Sequence, residues 1–432
     1  MSPMRIAYVI PAFPPAPSQP FVVNEMIEVE RAGHTLIVLP LYAGGESEVR
    51  HGTFESLRPA ALLPPALLDG RVALAALATL ATRPLRAFAV VCSLLVAALP
   101  NPWAVARLAA VVPKGLAAAR WLRRLGVDRI HAHFATQTAD CAAIAGCVAD
   151  IPFSFTAHAY DIYSTDRRIR NETLDWKLRR ARQVFTVNEF AADLLRARLD
   201  ECARGRVRTA YVGIPLDLFD EEPPAPHVGP LRLLCVARLC EKKGLDTLVE
   251  ACGLLRDQGL PFTLRLFGDG PLGAALATQV ARLDLAAHVH LGGSVTQEDV
   301  AREMKACHAF VMPCRRDRSG DMDGIPTVFM EAMATGRPVV SCAVSGVPEL
   351  VRDGETGVLV PSDDARALAA AIARLAHDDA LRLRLGRAAR ALVERQHDQR
   401  RTAARFLAMV VAANGGGDAG DVAAAAGAAD FS

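Results

Sequence analysis

The sequence predicts an α/β chain built from two doubly wound, Rossmann-like units facing each other across a cleft. Short apolar, β-branched runs alternate with helical stretches almost from end to end. An acidic, proline-rich stretch at 220–230, "DEEPPAPHVGP", breaks that alternation once. The chain has 432 residues, 51% of them hydrophobic, which is more than one core usually organises.

The first series of strands reads "RIAYVIP", "HTLIVLPLY", "RIHAHF", "FSFTAH", "QVFTVN" and "RTAYVGI", with helices between them around 22–32, 137–149 and 189–199. A βα repeat of this kind makes a parallel sheet covered on both faces. Beyond the linker the second series reads "LRLLCVAR", "FTLRLFG", "HVHLGG", "HAFVMP", "RPVVSCA" and "TGVLVP", with helices around 244–258, 273–283, 296–306, 326–335 and 364–376. Expected boundaries are 1–222 for the first unit and 223–394 for the second. A helix at 395–412 is expected to pack back on the first unit, and the Gly/Ala-rich tail 413–432 is expected to be disordered.

Net charge is only +2, but it is unevenly spread. From Arg71 to Ile130 there are nine basic residues and one acid, a local +8 set against −6 elsewhere. The arginines flank the apolar runs "VALAALATLAT" and "AFAVVCSLLVAAL". The longer run has thirteen residues and ends at Pro100, short of the roughly 18 that a spanning helix needs. Composition leaves two readings of 71–130 open: basic helices lying on an anionic membrane surface, or core helices with solvated arginines. Nucleic acid is not an expected partner, because the basic stretch is interleaved with aliphatic residues and has few aromatics for stacking. The ten cysteines include no C-x-x-C pair and most sit in apolar segments, which implies reduced thiols and a cytoplasmic setting. The start "MRIAYVIPAF" reads as a first strand and not as a signal peptide.

Ligands of open α/β sheets bind beyond the carboxyl ends of the strands. In "VARLCEKKGLD", Arg238 ends a strand and Lys243 precedes a helix opened by Gly244, so two cations beside a helix N-terminus form a candidate anion site. "FGDGPLG" matches G-x-G-x-x-G at Gly268, Gly270 and Gly273. It stands in the second βα unit of its domain, where a dinucleotide fingerprint does not belong, so its expected use is close approach of a phosphate-bearing ligand to the backbone. "DMDG" offers the D-x-D pair Asp321 and Asp323, but a metal needs more oxygen ligands than this stretch commits, so no metal and no cofactor is expected.

"GIPTVFMEAMATGRPVVSCAVSGVPELVRDGETGVLV", together with "VARLCEKKG" and "FGDGP", resembles the donor-binding half of the retaining family 4 glycosyltransferases of GT-B fold. The stretches "PSQPFVVNEMIEVERAGHTLIVLPLY", "RIHAHFA", "FTAHAYDIY" and "VGIPLDLF" are similar to the branch that contains colanic-acid-type exopolysaccharide enzymes. The likeness covers nearly all of residues 4–410. It implies that the family's E-x7-E pair falls on Asp323, facing the donor sugar, and on Glu331, accepting from the ribose hydroxyls. Arg238 and Lys243 would then hold the diphosphate, and Gly324, Ile325, Pro326, Thr327 and Val328 would offer backbone amides. His158 would be the active-site histidine. Asp161, Ser18 and Gln19 would be acceptor-side candidates.

Two departures stand out: Asp323 replaces the usual Glu, and "PAFPPAPSQPF" stands where many members carry Gly-Gly. The resemblance implies a nucleotide-sugar donor, UDP- or GDP-linked, and a saccharide or lipid-linked saccharide acceptor. A nucleotide-sugar epimerase of the same fold and a non-catalytic assembly protein are the competing readings. The acid pair with its "GIP" loop argues against the first, and the joint presence of Arg238, Lys243, Glu331 and His158 against the second. A Ser-His-Asp hydrolase is disfavoured by the lack of any G-x-S-x-G elbow.

Overall fold

In the computed structural model, residues 3–13, 20–43, 57–64, 69–219 and 229–412 are described. Most of the linker, the tail 413–432 and both acceptor-side candidates Ser18 and Gln19 lie outside them. Two units account for the chain, 1–211 with 400–432, and 212–399.

The first unit is a seven-stranded sheet. Its strands are β1 (Arg5–Phe13), β2 (Thr35–Ala43), β3 (Ala61–Leu62), β4 (Arg129–His133), β5 (Phe153–Ala157), β6 (Gln183–Thr186) and β7 (Val207–Thr209), in the order β3-β2-β1-β4-β5-β6-β7. All pairings are parallel, with Tyr8 opposite both Val38 and His131. The central strands are buried along their length, which is why they read as continuous apolar runs and not as alternating ones. Between β3 and β4 run three helices, Gly70–Thr82, Pro84–Ala98 and Pro102–Arg124. The sequence reads this segment as helices without giving their bounds. Asp69 and Asn101 cap the first and third through their side chains, and Pro84 and Pro102 stand at first helical positions.

The second unit is a six-stranded parallel sheet of β8 (Leu231–Val236), β9 (Phe262–Phe267), β10 (Val289–Leu291), β11 (Ala309–Val311), β12 (Val339–Cys342) and β13 (Gly357–Val360), in the order β10-β9-β8-β11-β12-β13. In each sheet the strand order reverses beside the first strand, between β1 and β4 and between β8 and β11. These are the switch points at which helices depart to opposite faces and leave a crevice.

The boundary falls at 211/212, earlier than the acidic linker suggested. Val212–Phe219 is already held by the second unit: Ile214 bridges Asp398, the Val212 carbonyl accepts from His397 Nδ1 at 2.9 Å, and Phe219 is fully buried in that core. The helix Gln399–Ala412 packs in the first unit, where Phe406 meets Phe185 and His131 edge-on and the Met409 carbonyl accepts from Gln183.

Candidate active site

At the second switch point the loops after β8 and β11 are stapled together. Arg315, just after β11, donates through its amide to the Lys242 carbonyl and through Nε to the Glu241 carbonyl, both at 2.9 Å. Its guanidinium also reaches Asp246 and Asp363. The short 3-10 turn Glu241–Lys243 is thereby held against the 321–323 loop, and three ion pairs form there. Lys243 Nζ lies 2.8 Å from Asp323 Oδ2, and Lys242 Nζ lies 2.9 Å from Asp321 Oδ2 and 3.4 Å from Asp323 Oδ1. The Cys314 thiol adds a contact to Asp323 at 3.8 Å.

Burial pushes the Asp323 pKa up, but the two lysines outweigh it and hold the carboxyl below its ordinary value. Burial likewise acts to lower the Lys243 pKa, and the Asp323 charge overcomes it, so Lys243 stays protonated. Asp323 is therefore first a partner of Lys243, a role that sequence spacing does not reveal. Lys242, Arg315 and Cys314 were missed for the same reason: each is brought in by a loop 70 or more residues away or by a strand end, with no local pattern to mark it.

Arg238 is exposed at the end of β8, and its guanidinium has no hydrogen bond or ion pair among the described residues. The helices Leu245–Asp257 and Thr327–Ala334 both begin without a side-chain cap, which leaves their N-termini without a protein acceptor from that source. Gly324, Ile325 and Pro326 form the loop into the second of these helices, and Thr327 and Val328 are its first residues. Glu331 follows one turn later. Its carboxyl is largely buried, has no hydrogen-bond partner among the described residues, and is pushed up by burial to about 7.

Gly268 and Gly270 have a packing role that their spacing does not reveal. At φ +134° and +156° their missing Cβ atoms would lie 1.9 Å from the Ala237 carbonyl oxygen and 2.6 Å from that of Leu239. The two loop backbones meet there through Ala237 N to Phe267 O, 3.0 Å, and Leu239 N to Asp269 O, 2.9 Å. The glycines permit this loop-on-loop packing, which sets the position of Arg238.

At the first switch point His158 follows β5, half-buried among Phe134 and Phe21, with ring centroids 4.5 and 5.0 Å away. Burial, reinforced by His133, holds its pKa well below the usual histidine value, so the ring is neutral. Asp161 does not face outward as an acceptor-side residue. It is 1% exposed, and its carboxylate accepts from the amides of Ala135 at 2.6 Å and His158 at 2.9 Å. It thereby organises the backbone that presents His158. Asn171 supports the same corner by donating to the Ala135 and Asp161 carbonyls.

Behind His158 stand two further buried histidines that "RIHAHF" places on one face of β4, since alternate strand residues point the same way. His131 bonds Ser154 through Nδ1 at 2.9 Å and Thr156 through Nε2 at 3.1 Å. His133 lies between His158 and Glu25, at 3.4 Å from each, and Glu25 accepts from the Tyr8 hydroxyl at 2.7 Å. Glu25, His131 and His133 are close enough together to surround a cation. Both ring nitrogens of His131, however, are engaged by hydroxyls, so this trio reads as a hydrogen-bonded support for His158.

The family model for glycosyl transferases group 1 matches residues 219–392, and that for glycosyltransferase family 4 matches 77–218. Over 198 residues the chain is 41% identical to the amylovoran biosynthesis glycosyltransferase AmsK of Erwinia amylovora, covering 46% of this chain and 49% of that one. Over 190 residues it is 38% identical to the putative colanic acid biosynthesis glycosyltransferase WcaL of Escherichia coli K12, covering 44% and 47%. The match thus spans about half the length of these curated relatives. Among solved structures, Anabaena Alr3699/HepE in complex with UDP superposes with a TM-score of 0.68 at 17% identity, covering 95% of this chain and all of that one. Sucrose-phosphate synthase from Thermosynechococcus elongatus gives 0.67 at 20%, covering 94% and 98%. Those two likenesses bear on the fold, which is GT-B. With one model on each parallel-sheet unit, and together spanning most of the sequence, the chain belongs to the group 1 and family 4 glycosyltransferases.

Proposed function

We propose that this chain transfers a glycosyl unit from a UDP- or GDP-sugar to a saccharide or lipid-linked saccharide acceptor, with retention at the anomeric carbon, in the synthesis of an exopolysaccharide or other cell-surface glycan. The observation that carries the reading is the convergence of Arg238, Lys243, two uncapped helix N-termini and the unpartnered Glu331 carboxyl at the β8/β11 switch point. Departure of the nucleoside diphosphate is the demanding step. Preorganised cations and amides stabilise its growing charge, and they do so more strongly in the transition state than with the dianionic diphosphate of the intact donor.

Asp323 keeps Lys243 charged and fixed, and it also stands at the entrance to the 324–328 loop that would curl round the sugar. Glu331 would accept from the ribose hydroxyls. His158, neutral and tied to Asp161 through its amide, would position sugar or acceptor. Relatives support both donor types: Alr3699/HepE was solved with UDP-glucose, and a Mycolicibacterium smegmatis relative, 34% identical over 147 residues, is named as GDP-mannose-dependent. All ten cysteines are unpaired, which supports a reduced, cytoplasmic setting.

Binding of UDP or GDP, measured by titration calorimetry, tests the donor site. If the Glu331 carboxylate is the acceptor for ribose, the group must give up its proton to bind, so affinity rises with pH until pH exceeds about 7 and then levels off. Below that point the expected slope approaches ~10-fold per pH unit. In Glu331→Gln the slope disappears. A slope that persists in the variant would remove Glu331 from the nucleotide site.

Divalent cations are not expected to be required. Lys242 and Lys243 already sit on the D-x-D carboxylates, placing positive charge where a metal would otherwise stand. Turnover should survive extensive chelation. Loss with EDTA and recovery with magnesium or manganese would reassign Asp321 and Asp323 as metal ligands.

A further inference from the structure

The helices Gly70–Thr82 and Pro84–Ala98 are apolar on two sides, but the fold covers only one. Val72, Ala75, Ala76 and Thr79 face inward from the first helix, and Ala87, Leu94 and Ala98 from the second. On the outer side stand Leu74, Leu77 and Leu80, one helical turn apart, and then Leu85, Phe88, Val96 and Leu99. Leu85 is 84% exposed, Leu74 71% and Phe88 70%. Of the fourteen exposed large apolar side chains among the described residues, eight fall between 74 and 103. Scattered exposed leucines need no explanation, but this concentration does. The rest of the basic segment divides differently: the second half of Pro102–Arg124, with Lys114, Leu116, Ala117 to Ala119 and Leu122, is buried core. The structure therefore narrows the unassigned surface to roughly 70–103.

The charge around this face is of one sign. No acidic residue occurs from 70 to 127. Arg71 and Arg86 flank the two apolar stripes, and their exposed pairs with Asp69 and Asp150 are of the kind that holds little. At the far end Trp103, half-exposed, lies beneath the Arg168 guanidinium at 5.5 Å. Arg107 donates to the Arg168 and Arg170 carbonyls, which fixes a second basic segment beside Trp103. Exposed leucine and phenylalanine between arginines, with tryptophan at the margin, is the pattern of helices that lie in a lipid headgroup layer. No helix among the described residues is long and apolar enough to cross a membrane. The two helices pass that test only together, and they are bent by 112° at Arg83.

We propose that residues 70–103 dock the first unit on an anionic bilayer, with Leu74, Leu77, Leu85 and Phe88 entering the headgroup and acyl boundary and the surrounding arginines meeting lipid phosphates. The surface stands apart from the transfer reaction and does not depend on it. It does adjoin it, because the basic segment that holds Arg168 leads into Asn171, which supports the backbone beside His158.

The test is co-sedimentation of the full chain with phosphatidylglycerol-containing and pure phosphatidylcholine vesicles at low and high salt. Binding to the anionic vesicles is expected to be ~10-fold or more tighter, and to weaken with salt as the Debye length shortens. Quenching of Trp103 by brominated lipid, lost in Trp103→Phe, should place this face in the bilayer. The variant Leu77→Glu/Phe88→Glu changes only exposed side chains, so its melting temperature should match the parent while sedimentation is lost. Three results would overturn the proposal: no preference for anionic vesicles at low salt, unchanged binding by the double variant, or a parent that is a dimer in solution and becomes monomeric in the double variant without vesicle binding. The last would give the face to a second copy of the chain.

Discussion

Sugar transfer is expected to fall by roughly 10³-fold or more when Arg238 and Lys243 are both replaced by alanine, because each removes a charge-assisted contact to the leaving diphosphate of about 2–4 kcal/mol. The two single variants should differ in kind. Arg238 is exposed and its guanidinium is unpaired among the described residues, so Arg238→Ala should lower kcat/KM with the melting temperature unchanged. Lys243 is largely buried against Asp323, and Lys243→Ala would leave that carboxylate with Lys242, at 3.4 Å, as its remaining cation beside the Cys314 thiol. Breaking a buried pair from one side costs about 3–5 kcal/mol when no other partner remains, and Lys242 should reduce that figure. Lys243→Ala should therefore lose turnover and stability together. Steady-state kinetics with a cognate donor, read beside thermal melts, separates the two effects. Near-normal turnover in the double variant would refute the diphosphate assignment.

The second large effect is structural. In Gly268→Ala the new methyl would lie 1.9 Å from the Ala237 carbonyl oxygen, at a φ of +134° that alanine rarely adopts. Neither atom can give way without moving a loop backbone, so a loss of about 3 kcal/mol or more is expected. For a unit of this size that corresponds to a fall in melting temperature of roughly 6–12 °C. Donor binding should weaken as well, since the loop displaced is the one that carries Arg238. A Gly268→Ala protein with parental stability and binding would mean that this loop contact is not maintained in solution.

Much of the architecture could be read from periodicity. Continuous β-branched runs mark strands covered on both faces, and both sheets are parallel, as the alternating helices require. The placement of Arg238 and Lys243 beside a helix start was legible because strand end, cations and helix start are consecutive in the chain, so local spacing carries the geometry. The boundary was less legible. Composition marks the least structured stretch, at 220–230, whereas the division at 211/212 depends on His397 and Asp398 gripping Val212 and Ile214 from 185 residues away.

What the sequence by itself determined is therefore whatever depends on neighbours along the chain: strand and helix identity, parallel pairing, the placement of Arg238, Lys243 and Glu331 beyond strand ends, and the local excess of positive charge. Tertiary structure alone decided which partners those residues meet. It paired Asp323 with Lys243, turned Asp161 inward onto two amides, packed Gly268 against Ala237, and divided one apolar segment into a buried helix and an exposed face. The physical reason is that hydrogen bonds, ion pairs and burial act over a few ångströms in space. The residues that hydrogen bonds join here lie up to 226 positions apart, a separation that no periodic pattern of apolar and polar residues records.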